Sequence, residues 1–218
     1  MIRNIVAVAD LHGRLPRIPE CDLLLIAGDI SPNRCRDYDM VESWLRKRLR
    51  PWLAKVPARH IAGIAGNHDF IFQHRQDFVP DGLRWHYLQD SGIELEGVKI
   101  WGTPWCPRYD GWAFEADEDE LAAIASLIPA GTDIVLSHCP PRGIADVCYG
   151  NSASGSLGSR ALLERVCQVR PKLVVFGHAH TAKHGPTTIV PGTVGYNVAC
   201  ADEANCPHYA PTIIEVPV

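Results

Sequence analysis

The sequence predicts a layered α/β fold in which helices cover a central pair of β-sheets. Three observations carry that reading. Short apolar, β-branched runs recur along the chain. Amphipathic segments with helical spacing lie between them. One run turns back on its neighbour around a glycine, which requires some antiparallel pairing. The 218 residues are 46% hydrophobic and 21% charged. A single domain over 1–218 can then bury roughly 70% of its unfolded surface without staples.

Six runs read as buried strands: Ile5 to Ala9, Leu23 to Ala27, Ile61 to Ala65, Ile134 to Leu136, Leu173 to Phe176 and Ile213 to Val216. Tyr38, Val41, Leu45 and Leu49 repeat at three and four, which predicts a helix that Pro51 should end or kink. Asp117 and Glu120 have capping-box spacing ahead of Leu121, Ile124 and Ala125. Ser159 can cap a helix carrying Leu162, Leu163 and Val166, which must stop before Pro171. Glu94 to Ile100 alternates around Gly97 and reads as a hairpin.

Composition excludes several functions. A net charge of −4 and a pI near 6.2 give no general affinity for nucleic acid. No dedicated nucleic-acid-binding domain fits beside the core. No apolar stretch approaches the ~20 residues of a membrane helix. The run before Asp10 is too short for a secretory signal. The chain is expected to be soluble and cytoplasmic. Eight cysteines are scattered with no C-x-x-C pair, so reduced, partly buried thiols are expected rather than a disulfide set or a zinc knuckle.

The most informative residues stand immediately after the apolar runs. The blocks are Asp10-Leu11-His12, Gly28-Asp29, Gly66-Asn67-His68-Asp69, Ser137-His138 and Gly177-His178-Ala179-His180. Five times a strand delivers metal-capable side chains at its C-terminal end, the edge where α/β sheets build ligand sites. Asp-x-His and Gly-Asp arise readily by chance. Gly-Asn-His and Gly-His-x-His are expected only roughly 0.02 and 0.04 times in such a composition, so these two carry weight. Glycines at 28, 66 and 177 allow a sharp bend or a close approach.

Asp10, His12, Asp29, Asn67, His138, His178 and His180 supply carboxylate, amide oxygen and imidazole, and no thiolate. Seven ligands exceed one tetrahedral ion and suit two divalent ions sharing a carboxylate. Mixed N/O ligation admits Mn, Fe, Co, Ni or Zn. Two such ions with two carboxylates leave a formal charge of +2, lowered to +1 by a bridging hydroxide. That centre attracts phosphate, activates water and clamps the oxygens of an in-line displacement.

In this order the blocks resemble the calcineurin-like metallophosphoesterase superfamily. The resemblance spans Asp10 to His180 and implies a four-layer αββα sandwich of two mixed β-sheets flanked by helices. It implies that Asp10, His12, Asp29 and His180 hold one ion. Asp29, Asn67, His138 and His178 hold the other, with Asp29 bridging. It makes His68 a non-ligand histidine that contacts phosphate and protonates the leaving oxygen, a role suited to a free imidazole. Further segments resemble the metallophosphoesterase-domain branch, which is associated with class III cyclic-nucleotide phosphodiesterases. They are Gly102-Thr103-Pro104-Trp105, Asp110-Gly111-Trp112, Ile128 to Ile134, His138-Cys139-Pro140-Pro141 and Arg170-Pro171-Lys172. Arg14 fits that branch as a phosphate contact. The segment Thr181 to Gly185 departs from it, being longer than the family's acidic turn at the substrate-side rim.

Other residues have plainer readings. Trp105, Tyr109, Trp112 and Phe114 form either a wall for a nucleobase or an aromatic loop packed on the core. Arg46-Lys47-Arg48 with Arg50 reads as a solvated helix face. His184 is a candidate pocket residue. His60, His74, His86 and His208 have no usable pattern. Asp69 either orients His68 or its loop, or caps local backbone.

The function expected is a metal-dependent phosphodiesterase acting on a small, nucleotide-like phosphoester by attack of a metal-bound hydroxide. Asp10-Leu11-His12-Gly13-Arg14 raises a protein phosphatase or dinucleoside polyphosphate hydrolase, a phosphomonoesterase-like alternative, but Ile30-Ser31-Pro32-Asn33 stands after Asp29 where that group carries Val-Asp-Arg-Gly. A non-catalytic metal-binding scaffold is the third reading, disfavoured by an intact His68.

Overall fold

The computed structural model describes residues 1–33, 35–148 and 155–215. In chain order the first strands are β1 (Asn4–Val8), β2 (Cys21–Ala27), β3 (Ala58–Ile64) and β4 (His86–Tyr87). Next come β5 (Ser91–Leu95), β6 (Val98–Thr103), β7 (Cys106–Pro107), β8 (Glu115–Ala116) and β9 (Ile134–Ser137). The last are β10 (Val147–Cys148), β11 (Gly155–Ser156), β12 (Leu173–Phe176), β13 (Gly185–Val190), β14 (Thr193–Asn197) and β15 (Thr212–Glu215). All six strands expected from the apolar runs are present, shifted by up to three residues at an end. Val216 lies outside the described residues. The β13–β14 hairpin has no counterpart among those runs, although Pro191-Gly192 marks its turn, with Gly192 at φ 88°.

Two mixed sheets result. One has the order β15-β1-β2-β3-β4, the other β13-β14-β12-β9-β6-β5. Strands β1, β2 and β3 run parallel, as do β6, β9, β12 and β14; β15, β5 and β13 pair antiparallel at the edges. Residues alternate across each strand. Ile5, Ala7, Leu23, Leu25, Ala62 and Ile64 face the second sheet and meet Ile100, Leu136, Leu173 and Val175. Val6, Val8, Leu24 and Ile26 face outward, under Leu45, Leu49, Leu53 and Phe72. On the other side Val135, Val174 and Phe176 lie under Leu162 and Val166. The layers are therefore helix, sheet, sheet, helix.

The helices obey their sequence signals with one exception. Tyr38–Trp44 (α1) leads through a π-helical segment, Leu45–Leu49, directly into Arg50–Lys55 (α2). Pro51 thus neither ends nor simply interrupts the helix. The Arg50 amide reaches back to the Leu45 carbonyl, and this wider turn makes room for the proline ring one residue later. Arg46, Lys47 and Arg48 are exposed, as a solvated face requires. After the short α3 (Phe70–His74), α4 (Glu118–Ser126) begins with the expected capping box of Asp117 and Glu120. Ser159 caps α5 (Arg160–Val169), which ends on left-handed Arg170 ahead of Pro171. Glu96 and Gly97, at φ 49° and 85°, form the turn of the β5–β6 hairpin.

Leu136 has no exposed surface and sits between the two sheets. Leu136→Ala should cost about 2–5 kcal/mol, read as a lower urea midpoint at unchanged slope. A loss below about 0.5 kcal/mol, the range of a surface substitution, would contradict this placement of the core.

Candidate metal centre

Strands β1, β2, β3, β9 and β12 all end at one edge of the sandwich, and their last turns carry the motif residues. The turns are sharply bent. Asp10, His12, Asp29 and His178 adopt left-handed backbone at φ 56°, 44°, 53° and 66°. Each such residue costs of order 1–3 kcal/mol unless its surroundings enforce it, and the cluster marks a functional site. Long-range backbone bonds supply that enforcement: Asp10 N–H donates to the Gly28 carbonyl (3.0 Å), His12 N–H to Asp29 (2.9 Å) and Gly177 N–H to His138 (3.0 Å). Gly66 and Gly177 have a steric role. A Cβ at Gly66 would collide with the Asp29 carboxylate, and one at Gly177 with that of Asp10.

The side chains converge. Asp10 Oδ1 lies 3.2 Å from His180 Nε2, which lies 3.4 Å from His12 Nε2. Asp29 Oδ2 is 3.9 Å from His12 Nε2 and 3.8 Å from His68 Nε2. The other Asp29 oxygen, Oδ1, is 3.4 Å from His138 Nε2. That nitrogen is in turn 2.8 Å from Asn67 Oδ1. His178 packs against His138 with ring centroids 5.1 Å apart. All seven candidate ligands and His68 are thus brought together. His138 and His180 donate Nδ1–H to the carbonyls of Ala27 (2.8 Å) and Asp202 (2.9 Å). These bonds aim each Nε2 into the centre, as ligating imidazoles require.

The donor set fits divalent metal. Asp10 Oδ1 is buried without a hydrogen-bond partner, and two imidazole nitrogens face the same space. Burial works against charge on the carboxylates. His180 and His138 nonetheless hold the Asp10 carboxyl below its usual range, and His138 and His68 hold that of Asp29 well below. Burial likewise disfavours every imidazolium. It takes His12 down to about 4, and, with His138 beside it, His178 to about 3. Against burial, Asp29 lifts His138 to about 10 and Asp10 lifts His180 to about 9. The pocket therefore draws cations: without metal, protons on His138 and His180 balance the carboxylates.

Three further residues shape the centre, and the placements of Cys106 and Trp112 beside its histidines are not legible in the sequence. Asp69 is fully buried and accepts the amides of Ile30 (3.1 Å), Ser31 (2.8 Å) and Gly66 (2.8 Å). It pins the loop carrying Asp29 to the loop carrying Asn67, which joins the two alternatives of loop orientation and backbone capping. Cys106 places its sulfur within 4.8 Å of ligand atoms of His138 and His178. Burial, with Cys139 beside it, pushes that thiol well above its ordinary value, so it stays protonated. The Trp112 ring lies against His68 with centroids 4.4 Å apart and planes tilted by 32°. Of the other loop aromatics, Phe114 is core, Trp105 is tied to Asp90 by its indole N–H (2.7 Å), and Tyr109 is exposed. No single wall of four rings forms. Arg14 lines a pocket of about 140 Å³ with Asp10 and Tyr209. His184 stacks on Tyr209 (3.8 Å) and donates to the His180 carbonyl (3.0 Å), one step behind the centre. All eight cysteines are free.

Asp29 and Asp10 favour the protonated forms of His138 and His180, and ligation must displace those protons. Metal loading should release one proton from each, and affinity should rise with pH up to their titration range. Calorimetry in buffers of different ionisation heat measures the number released. Loading with no proton release would contradict the protonated state assigned to His138 and His180, not their place in the ligand set.

The model of calcineurin-like phosphoesterases matches residues 3–182. The chain is 30% identical over 247 residues to metallophosphoesterase domain-containing protein 1 of Homo sapiens, covering 97% of this chain and 70% of that protein. A UPF0046 protein of Caenorhabditis elegans is 32% identical over 228 residues, covering 95% and 77%. Among solved structures, phosphopantetheinyl hydrolase from Mycobacterium tuberculosis superposes with a TM-score of 0.58 at 15% identity, over 94% of this chain and 91% of that one. That likeness concerns the fold. No helix among the described residues is long and apolar enough to cross a membrane. The chain belongs to the calcineurin-like phosphoesterase family, in its metallophosphoesterase-domain branch, and is a metal-dependent phosphoric ester hydrolase.

Proposed function

We propose that the protein is a dinuclear phosphodiesterase acting on small nucleotide-like diesters, cyclic nucleotides included. The observation that carries this is the placement of Asp29. One of its oxygens faces His138 and Asn67 while the other faces His12, so a single carboxylate serves two donor groups. Asp10, His12, Asp29 and His180 would hold one divalent ion, and Asp29, Asn67, His138 and His178 the other. Bound there, two divalent ions supply Lewis acidity and activate water at neutral pH.

The chain's own residues do the rest. The His178 amide fixes Asp10 (2.9 Å) and the His68 amide fixes Asp29 (2.8 Å). His68, outside the proposed ligand set, would give a proton to the leaving oxygen. Arg14, at the rim, is assigned to the phosphate. With little positive charge beyond the ions, a singly charged diester is better matched than a dianionic monoester. Two transition-metal ions per chain, from among Mn, Fe, Zn, Co and Ni, are the proposed cofactors, and the protein is assigned to the cytoplasm.

Chelation should abolish hydrolysis and Mn²⁺ should restore it; full activity in exhaustively stripped protein would refute metal dependence. At saturating metal, Asp29→Ala should lose more turnover than Asn67→Ala, because it touches both donor groups. An Asp29→Ala enzyme near wild-type rate would remove the bridge.

His68→Ala should lose roughly 10²–10⁴-fold on a diester with a poor leaving group. It should lose far less on a nitrophenyl ester and should retain both ions. Equal losses on both esters would assign His68 to phosphate binding instead. Across matched substrates the diester should be preferred. A clear monoester preference would make the enzyme a phosphomonoesterase while leaving the centre as described.

A further inference from the structure

The imidazoles of the centre are held in two ways, and His68, like His12, has an Nδ1 that is buried without a hydrogen-bond partner. His138 and His180 are fixed in rotation by Nδ1–H bonds to carbonyls. His68 has its backbone tied to Asp29, but no such bond at Nδ1. The polar neighbour of its ring is Asp29 Oδ2, 3.8 Å from Nε2 and beyond hydrogen-bond length. Ring contacts set its angle instead. The Trp112 indole lies over His68 with centroids 4.4 Å apart and planes inclined at 32°. His12 meets the imidazole edge-on at 4.8 Å.

Trp112 is itself firmly placed. The next residue, Ala113, donates its amide to the Asn67 carbonyl (3.0 Å), and Phe114 donates to Gln73 Oε1 (2.8 Å) while its ring sits in the core. The Arg36 guanidinium lies 4.3 Å from the Phe70 ring centroid and 5.6 Å from that of Trp112, and bonds to the Gly111 carbonyl (3.4 Å). The indole therefore has a fixed position from which to hold a neighbour. A reacting group is held in productive geometry when its rotamer is locked by packing or by hydrogen bonds.

We propose that Trp112 is the positioning residue for His68, fixing by ring stacking the rotation that no bond at Nδ1 fixes, and so keeping Nε2 beside Asp29. This rests on the reading that His68 serves the leaving oxygen. Trp112→Leu keeps apolar bulk and removes the ring; Trp112→Phe keeps a ring.

Two measurements test it. In zinc-loaded protein, the His68 ring resonances, assigned with His68→Ala, should lie upfield from the indole's ring current. They should move downfield in Trp112→Leu and less in Trp112→Phe. In kinetics, Trp112→Leu should lose about tenfold to a hundredfold in kcat on a poor-leaving-group diester, as misplacement of a reacting group does. KM, metal content and the nitrophenyl rate should change little, and Trp112→Phe should recover most of the loss. The double variant His68→Ala/Trp112→Leu should be no slower than His68→Ala alone. If His68→Ala shows the leaving-group effect and Trp112→Leu does not, the inference is wrong and the acid role survives. If His68→Ala shows none, the acid role itself fails. Unmoved His68 resonances in Trp112→Leu would overturn the stacking directly.

Discussion

The site depends on two buried carboxylates that are each gripped by a loop other than their own. Asp10, at the end of β1, accepts the amide of His178 beyond β12; Asp29, beyond β2, accepts the amide of His68 beyond β3. Each bond ties a carboxylate to a loop that carries a candidate ligand. Burying such groups without compensation is unfavourable, so the amides and imidazoles around them hold both the charge and the loop geometry in place. The first bond joins the two sheets and the second joins two strands of one sheet. The centre therefore exists only when the sandwich is closed.

The same closure sustains the strained backbone. Four of the seven candidate ligands are left-handed, and none of them is glycine. A free loop would relax such turns. Here the β1 end is sandwiched: Ala9 N–H donates to Val198 (3.0 Å), and Cys200 N–H donates to Ala9 (2.9 Å), so both sheets clamp the chain one residue before Asp10. Asp69 does the equivalent for Asp29 by collecting three amides from two loops. Rigid scaffolding below and bent ligand turns above are two consequences of one packing.

Much of this is legible in the sequence because its signals are local. An apolar run and the polar residues just after it lie side by side in the chain, so Gly66-Asn67-His68 and Gly177-His178-Ala179-His180 announce both a strand end and its cargo. Caps such as Asp117 and Ser159 are local too. The features that escape the sequence involve partners far apart in it. Trp112 meets His68 only after the segment near β7 and β8 folds against the Asn67 loop. Cys106 comes near His138 through packing that no spacing encodes. Pro51 does not end the helix because proline's effect depends on the turn before it, and a π-helical segment absorbs what an α-turn would not.

The central claim is that one carboxylate, Asp29, joins two metal sites. Anomalous diffraction from crystals soaked in manganese tests it most directly. Two peaks per chain are expected, roughly 3.5–4 Å apart as in two-metal hydrolases, with Asp29 touching both and His68 touching neither. A single peak, or two peaks that do not share Asp29, would contradict it.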